Sequence, residues 1–135
     1  MKALKFLTMI ALLSLLAQGA APTASAAQPP PARPDLTVTN VWSAYAGYAD
    51  TWYMYYTVRN IGPAASPAFG IVIQNAWSPA VVQSFNAAGL ASGALRTYRR
   101  TWTRCEFEVK ITVDSAGLIA ESNGSNNSRT YYHLC

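Results

Sequence analysis

Apolar and polar residues alternate along much of the chain. Leu36 and Val38 alternate with Thr37 and Thr39, and Trp52, Met54, Tyr56 and Val58 alternate with Tyr53, Tyr55, Thr57 and Arg59. Phe69, Ile71 and Ile73 form a third set. The cleanest case is Phe107, Val109, Ile111 and Val113 against Glu106, Glu108, Lys110 and Thr112. A period of two sends successive side chains to opposite faces of a strand. One apolar and one polar face per strand means a sheet covered on one side only, hence antiparallel strands and a second sheet packed on the first. No stretch holds a helical period over three turns. Turn-forming residues punctuate the runs: Asn60-Ile61-Gly62-Pro63, Ser78-Pro79, Ala88-Gly89 with Ser92-Gly93, and Asn123 to Asn127. The pattern predicts strands over 35–42, 51–60, 68–75, 80–86, 95–103, 105–113 and 128–134. The fold class is therefore all-β, an antiparallel β-sandwich of about seven strands.

The first residues stand outside that pattern. Lys2 and Lys5 precede a short apolar run from Phe6 to Ala17, and Ala24-Ser25-Ala26 follows. A basic start, a run too short to span a bilayer of ~30 Å and a small-residue exit read as a signal peptide over 1–26. The protein is thus expected to be secreted or periplasmic, with no membrane insertion after cleavage. Gln28 to Pro34 holds four prolines in seven residues, which predicts an extended linker over 27–34. The β-sandwich domain is expected over 35–135. Without Lys2 and Lys5, eight basic residues face six acids, too small an excess to imply nucleic acid. The one basic cluster, Arg96, Arg99, Arg100 and Arg104, reads as a solvated strand face.

Both cysteines, Cys105 and Cys135, fall in the part expected to be exported, where an oxidising environment makes a disulfide the default. Antiparallel register supports the pairing: if Val113 lies near Asn127, Cys105 lies opposite Cys135. Such a link stabilises by ~3–4 kcal/mol in the chain-entropy account. Cys105 shares the parity of Phe107 and is expected to point inward. Leu134 is also expected to point inward, which would turn Cys135 out, so a bulge or frayed end is expected there.

Two segments carry a resemblance. Tyr56 to Gly62, YTVRNIG, resembles the strand end of the CARDB family, the cell-adhesion-related domain found in bacteria, and Val113 to Asn127, VDSAGLIAESNGSNN, resembles its closing signature. Pro34-Asp35-Leu36 and the turn from Leu90 to Gly93 follow in family order. The resemblance implies an immunoglobulin-like sandwich acting as a binding or spacer module. An acid usual in the closing signature is Gly124 here, which weakens any shared cation site.

The residues themselves offer two readings of that signature. Asp114 and Glu121 bracket the last hairpin, and Asn123, Asn126 and Asn127 add amides. These groups can hold a loop by bonding its backbone. Alternatively Asp114, Glu121 and Asn126 supply oxygens for weak calcium binding. No other cofactor is implied. Catalytic chemistry is sparse. His133 is the lone histidine, no G-x-S-x-G elbow accompanies it, and Glu106 and Glu108 share one polar strand face instead of confronting each other across a cleft. A non-enzymatic binding or adhesion module is expected. Its partner would be a cell-surface protein or polysaccharide, met by the outward rings of Tyr53 and Tyr55 with Tyr45 and Tyr48 from the preceding segment. A carbohydrate-binding protein using that tyrosine face, or a small secreted enzyme inhibitor, are the alternatives.

Overall fold

The computed structural model describes residues 27–135. The expected signal peptide lies outside the described residues. Residues 27–35 form no regular element, as their prolines require. Their end is nevertheless docked. The Arg33 carbonyl accepts from the Ala64 amide at 3.4 Å, and the Pro34 carbonyl accepts from the Ser122 amide at 2.9 Å.

Seven strands follow: β1 (Leu36–Tyr45), β2 (Trp52–Asn60), β3 (Phe69–Asn75), β4 (Val81–Ala87), β5 (Leu95–Trp102), β6 (Phe107–Val113) and β7 (Ser128–His133), with a 3₁₀ turn at Gly124–Asn126 before the last. They form a three-stranded sheet in the order β1-β2-β5 and a four-stranded sheet in the order β4-β3-β6-β7. Every pairing is antiparallel. The architecture is an immunoglobulin-like sandwich, and the alternation in sequence is its cause. Leu36, Val38, Met54, Tyr56 and Val58 from one sheet meet Ile71, Ile73, Phe107, Val109, Ile111 and Val113 from the other, all buried. Each such side chain contributes about 1.5–3 kcal/mol by leaving water. Tyr56 is the largest of them. Its ring stacks on Tyr98 at 5.3 Å, and burial, with Tyr98 adding to it, raises its phenol far above the ordinary tyrosine value.

One irregularity redirects a strand. The β1–β2 register runs Thr37↔Arg59 and Val38↔Val58, then resumes at Asn40↔Thr57. Thr39 is the extra residue of a bulge, which reverses the facing of everything after it. Even-numbered residues of β1 point inward before Thr39, and odd-numbered ones after it. Val41 accordingly packs against the core, and Trp42 turns out.

At the other edge, β6 and β7 pair from Thr112↔Ser128 to Phe107↔His133. Continuing that register brings Cys105 opposite Cys135, with Cα atoms 5.7 Å apart, a separation suited to a disulfide. The expected clash of parities does not arise. Leu134 is 60% exposed, whereas Tyr131 and His133 pack on Phe107. Cys135 shares their side of β7, so no bulge is needed.

The end of β2 is held by Asn60, which is fully buried. Its Oδ1 accepts from the amides of Asp35 at 3.0 Å and Gly62 at 3.1 Å. Its Nδ2 donates to the carbonyl of Ala64 at 2.7 Å and to those of Leu90 and Ala91 at 3.0 and 3.3 Å. One amide thus ties the start of β1 to the β2–β3 and β4–β5 loops. Gly62 is required beside it, because a Cβ there would sit 2.5 Å from the Asp35 nitrogen.

Val58→Asp should unfold the domain, since it places an unpaired carboxylate at a fully buried position. Arg59→Asp, on the exposed face, should change stability by no more than about 0.5 kcal/mol. Equal losses of melting temperature in the two variants would show the register to be wrong by one residue. Asn60→Ala strands several backbone groups together and should cost about 3 kcal/mol or more in urea unfolding.

Candidate functional site

The outer face of the three-stranded sheet gathers aromatic and basic side chains. Three rows cross it beyond the bulge at Thr39. Asn40, Thr57 and Thr97 form one, Trp42, Tyr55 and Arg99 the next, and Ala44, Tyr53 and Thr101 the third. Trp42 and Tyr55 stack with centroids 5.2 Å apart and planes 11° from parallel. Tyr53 meets Tyr55 edge-on at 6.4 Å. The Arg99 guanidinium carbon lies 4.6 Å from the Tyr53 ring centroid, within cation–π range. Thr57 and Thr97 share a hydroxyl hydrogen bond of 2.9 Å. Trp42 is 38% exposed, Tyr53 and Tyr55 are half-buried against their neighbours, and Arg99 is exposed.

Tyr48 joins this group from the β1–β2 loop. The loop is pinned by bonds from the Ala46 amide to the Thr51 carbonyl at 2.8 Å and from the Thr51 amide to the Tyr48 carbonyl at 3.0 Å. Left-handed backbone at Gly47, Ala49 and Asp50 turns the chain around it. Hydrogen bonding to Tyr53 raises the Tyr48 phenol above its ordinary value, and Arg99 pulls it the other way.

Of the four tyrosines expected to share a face, Tyr48, Tyr53 and Tyr55 are brought together. Tyr45 is not. The bulge places it on the opposite face of β1, against Trp52 at 5.4 Å. The same bulge explains why Trp42 escapes a reading by alternation, since the spacing of Leu36 and Val38 carries Trp42 inward. Asn40, an amide where that spacing demands an apolar group, is the signal that the pattern breaks.

The arginine cluster is not one solvated face. Arg99 alone of the four joins the tyrosines. Arg100 donates to Gln83 Oε1 at 2.8 Å, and Arg100 and Arg104 both lie over Trp102, at 5.1 and 6.0 Å. Arg96 donates to the Ala88 carbonyl at 3.2 Å.

His133 is enclosed by Trp52 at 4.4 Å and Phe107 at 5.2 Å. Its Nδ1 lies 2.7 Å from Ser43 Oγ, which lies 2.9 Å from the Tyr131 hydroxyl. The trio links β1 to β7 across the open side of the sandwich. Its Nε2 is buried without a partner, so no carboxylate orients the ring as a hydrolytic triad requires. Glu106 accepts from the Tyr132 hydroxyl at 3.0 Å.

The closing signature is a brace. Asp114, at a left-handed φ of 44°, accepts the amides of Leu118 and Ile119 at 3.1 and 3.0 Å. Glu121 accepts the Leu36 amide at 2.6 Å and the Asn127 side-chain amide. Asp35 accepts from Ser122 Oγ at 3.1 Å and from Asn126 Nδ2 at 2.8 Å. Asp114 and Glu121 both line a shallow cleft with Ser125 and Asn127. Among the described residues, however, no three His, Cys, Asp or Glu side chains are grouped to hold a metal. The carboxylates of Asp114 and Glu121 meet N–H donors of the chain, as the loop-holding reading of the signature expects. Asn126 Oδ1 and Asn127 Oδ1 are left as buried oxygens without partners.

Asp114→Asn should lower stability by about 1–2 kcal/mol through loss of one acceptor. Millimolar calcium should leave the melting temperatures of wild type and variant where they are. A micromolar calcium constant that this substitution abolishes would decide for the cation site.

The CARDB profile matches residues 33–131 of the chain. No curated protein sequence matches it. Among solved structures, the CARDB domain of a Pyrococcus furiosus protein in complex with di-metal ions is similar at 20% identity and a TM-score of 0.62, over 75% of this chain and 92% of that one. A domain of a Methanosarcina acetivorans protein is similar at 22% identity and a TM-score of 0.61, over 75% of this chain and 90% of that one. These likenesses establish the shared fold, and the profile match over nearly all the described residues establishes the family: the chain belongs to CARDB.

Proposed function

We propose that this protein is an exported, non-catalytic binding module that meets its partner with the outer face of the three-stranded sheet. The observation that carries the proposal is the preorganised group of Trp42, Tyr53, Tyr55 and Arg99 on that face. Aromatic rings with two side-chain torsions each are inexpensive to order, and here they already hold one another in place. The alternative surface, the loop end that carries the closing signature, has most of its polar groups committed to the fold. A cation role like that named for the Pyrococcus domain is not proposed, for the same reason. Export is supported by the pattern of residues 1–26 and by the disulfide-compatible cysteine pair.

The test is a binding screen of the exported chain against glycans and cell-surface extracts, repeated with Tyr53→Ala/Tyr55→Ala. Any ligand found should bind the double variant at least ten-fold more weakly, about 1.4 kcal/mol, with an unchanged circular dichroism spectrum. Normal binding by the double variant would remove the tyrosine face from the function.

A further inference from the structure

We propose that the ligand of this face is an acidic polysaccharide whose sugar rings bear carboxylates; the inference rests on the binding reading above. The first ground is charge. Strands β1, β2 and β5 contain Arg59, Arg96, Arg99 and Arg100 and not one acid. The chain's carboxylates lie elsewhere. Asp35, Asp114 and Glu121 are committed to the brace. Glu106 precedes β6 and Glu108 lies within it, on the other sheet, and Asp50 sits in the β1–β2 loop. Arg59 and Arg99 point outward with the aromatic rows, so the strands of the face carry positive charge and no acid, and the one carboxylate in the adjoining loop is Asp50.

The second ground is the mixture of groups. Trp42, Tyr53 and Tyr55 offer apolar ring surface of the kind that packs against the C–H face of a sugar. Arg99, held over Tyr53, offers a planar fork of donors that matches a carboxylate in bidentate fashion. Asn40, Thr97 and Thr101 are exposed at the margins, where amide and hydroxyl groups can exchange hydrogen bonds with ring hydroxyls. Single-stranded nucleic acid also combines ring stacking with basic residues. It fits less well. Only Arg59 and Arg99 face outward, too few to track a run of phosphates.

The experiment measures binding of the full chain to polygalacturonate, to the same polymer with its carboxylates methyl-esterified, and to a single-stranded oligonucleotide. Polygalacturonate should bind at least ten-fold more tightly than the esterified polymer, and raising the salt should narrow the gap by screening. Arg99→Gln should abolish the preference, so that the variant binds the two polymers equally. Tyr53→Ala/Tyr55→Ala should weaken binding of both polymers. Equal binding of the two polymers by the unaltered chain would overturn the acidic-ligand inference and leave the aromatic face standing. Oligonucleotide binding as tight as that of polygalacturonate would overturn the glycan assignment. Polygalacturonate binding that survives both sets of substitutions would overturn the inference and the binding face together. Failure to bind polygalacturonate, with tyrosine-dependent binding of another ligand, would overturn only the inference.

Discussion

The side chain of Asn60 is buried where β2 stops pairing with β1, at a place where three chain segments converge without a sheet to satisfy them. A buried backbone amide or carbonyl without a partner costs about as much as a lost hydrogen bond. At this end of the sandwich the ladders have run out, yet Asp35, Gly62, Ala64, Leu90 and Ala91 all bring backbone groups inward. A single carboxamide answers them because it both accepts and donates. A carboxylate would lose the donors, and a hydroxyl would lack the reach. The brace from Asp114 to Asn127 extends the same solution. It fastens Asp35 and Leu36, the opening of β1, through Ser122, Asn126 and Glu121. The first and last elements of the domain are thereby joined by side chains instead of by strand pairing.

That commitment bears on function by elimination. Polar groups that hold the fold are not free to hold a ligand without giving up stability, and a domain has only about 5–15 kcal/mol to lose. The family-like residues Asn60, Asp114, Glu121 and Asn126 are thus the frame. The aromatic and basic groups of the proposed binding face are ones the frame does not use, and they lie on the outer face of the three-stranded sheet. There the bulge at Thr39 is decisive. By reversing the parity of β1 it places Val41 against the core and Trp42 beside Tyr55. A regular strand would bury the indole and expose the valine.

The positions of the strands were legible from a period of two, because each sheet has one wet face and one dry face. The register of the last hairpin was legible too, since the turn at Asn123 to Asn127 fixes which residues oppose each other down to Cys105 and Cys135. What escaped follows from features that alternation does not encode. A bulge is a single extra residue, and it turns Tyr45 away from the face it was expected to share. Leu134 looked like a core residue by hydropathy, whereas its place beyond the end of β7 leaves it exposed and gives the inward positions to Tyr131 and His133. The brace was visible only as a choice between a held loop and a cation site. Its hydrogen bonds depend on the positions of the Leu36, Leu118 and Ile119 amides, and the first of these is remote in sequence from the carboxylate it meets.

The arginines of β5 show how one strand can serve two purposes. β5 is an edge strand of its sheet, and charged side chains on an edge discourage pairing with another chain. That alone could account for several arginines in a row. The contacts separate them. Arg100 reaches across to Gln83 on β4, the facing edge of the other sheet, and rests on Trp102, while Arg96 bonds the Ala88 carbonyl. Both close the side of the sandwich between the two sheets. Arg99 has the opposite parity and cannot reach that seam. It lies over Tyr53 in the middle of the sheet's outer face, where edge protection has no use for a charge. A guanidinium held there by an aromatic ring, with no carboxylate on any strand of its sheet, is an unneutralised donor facing outward. Of the four arginines it is the one whose position structural need does not explain.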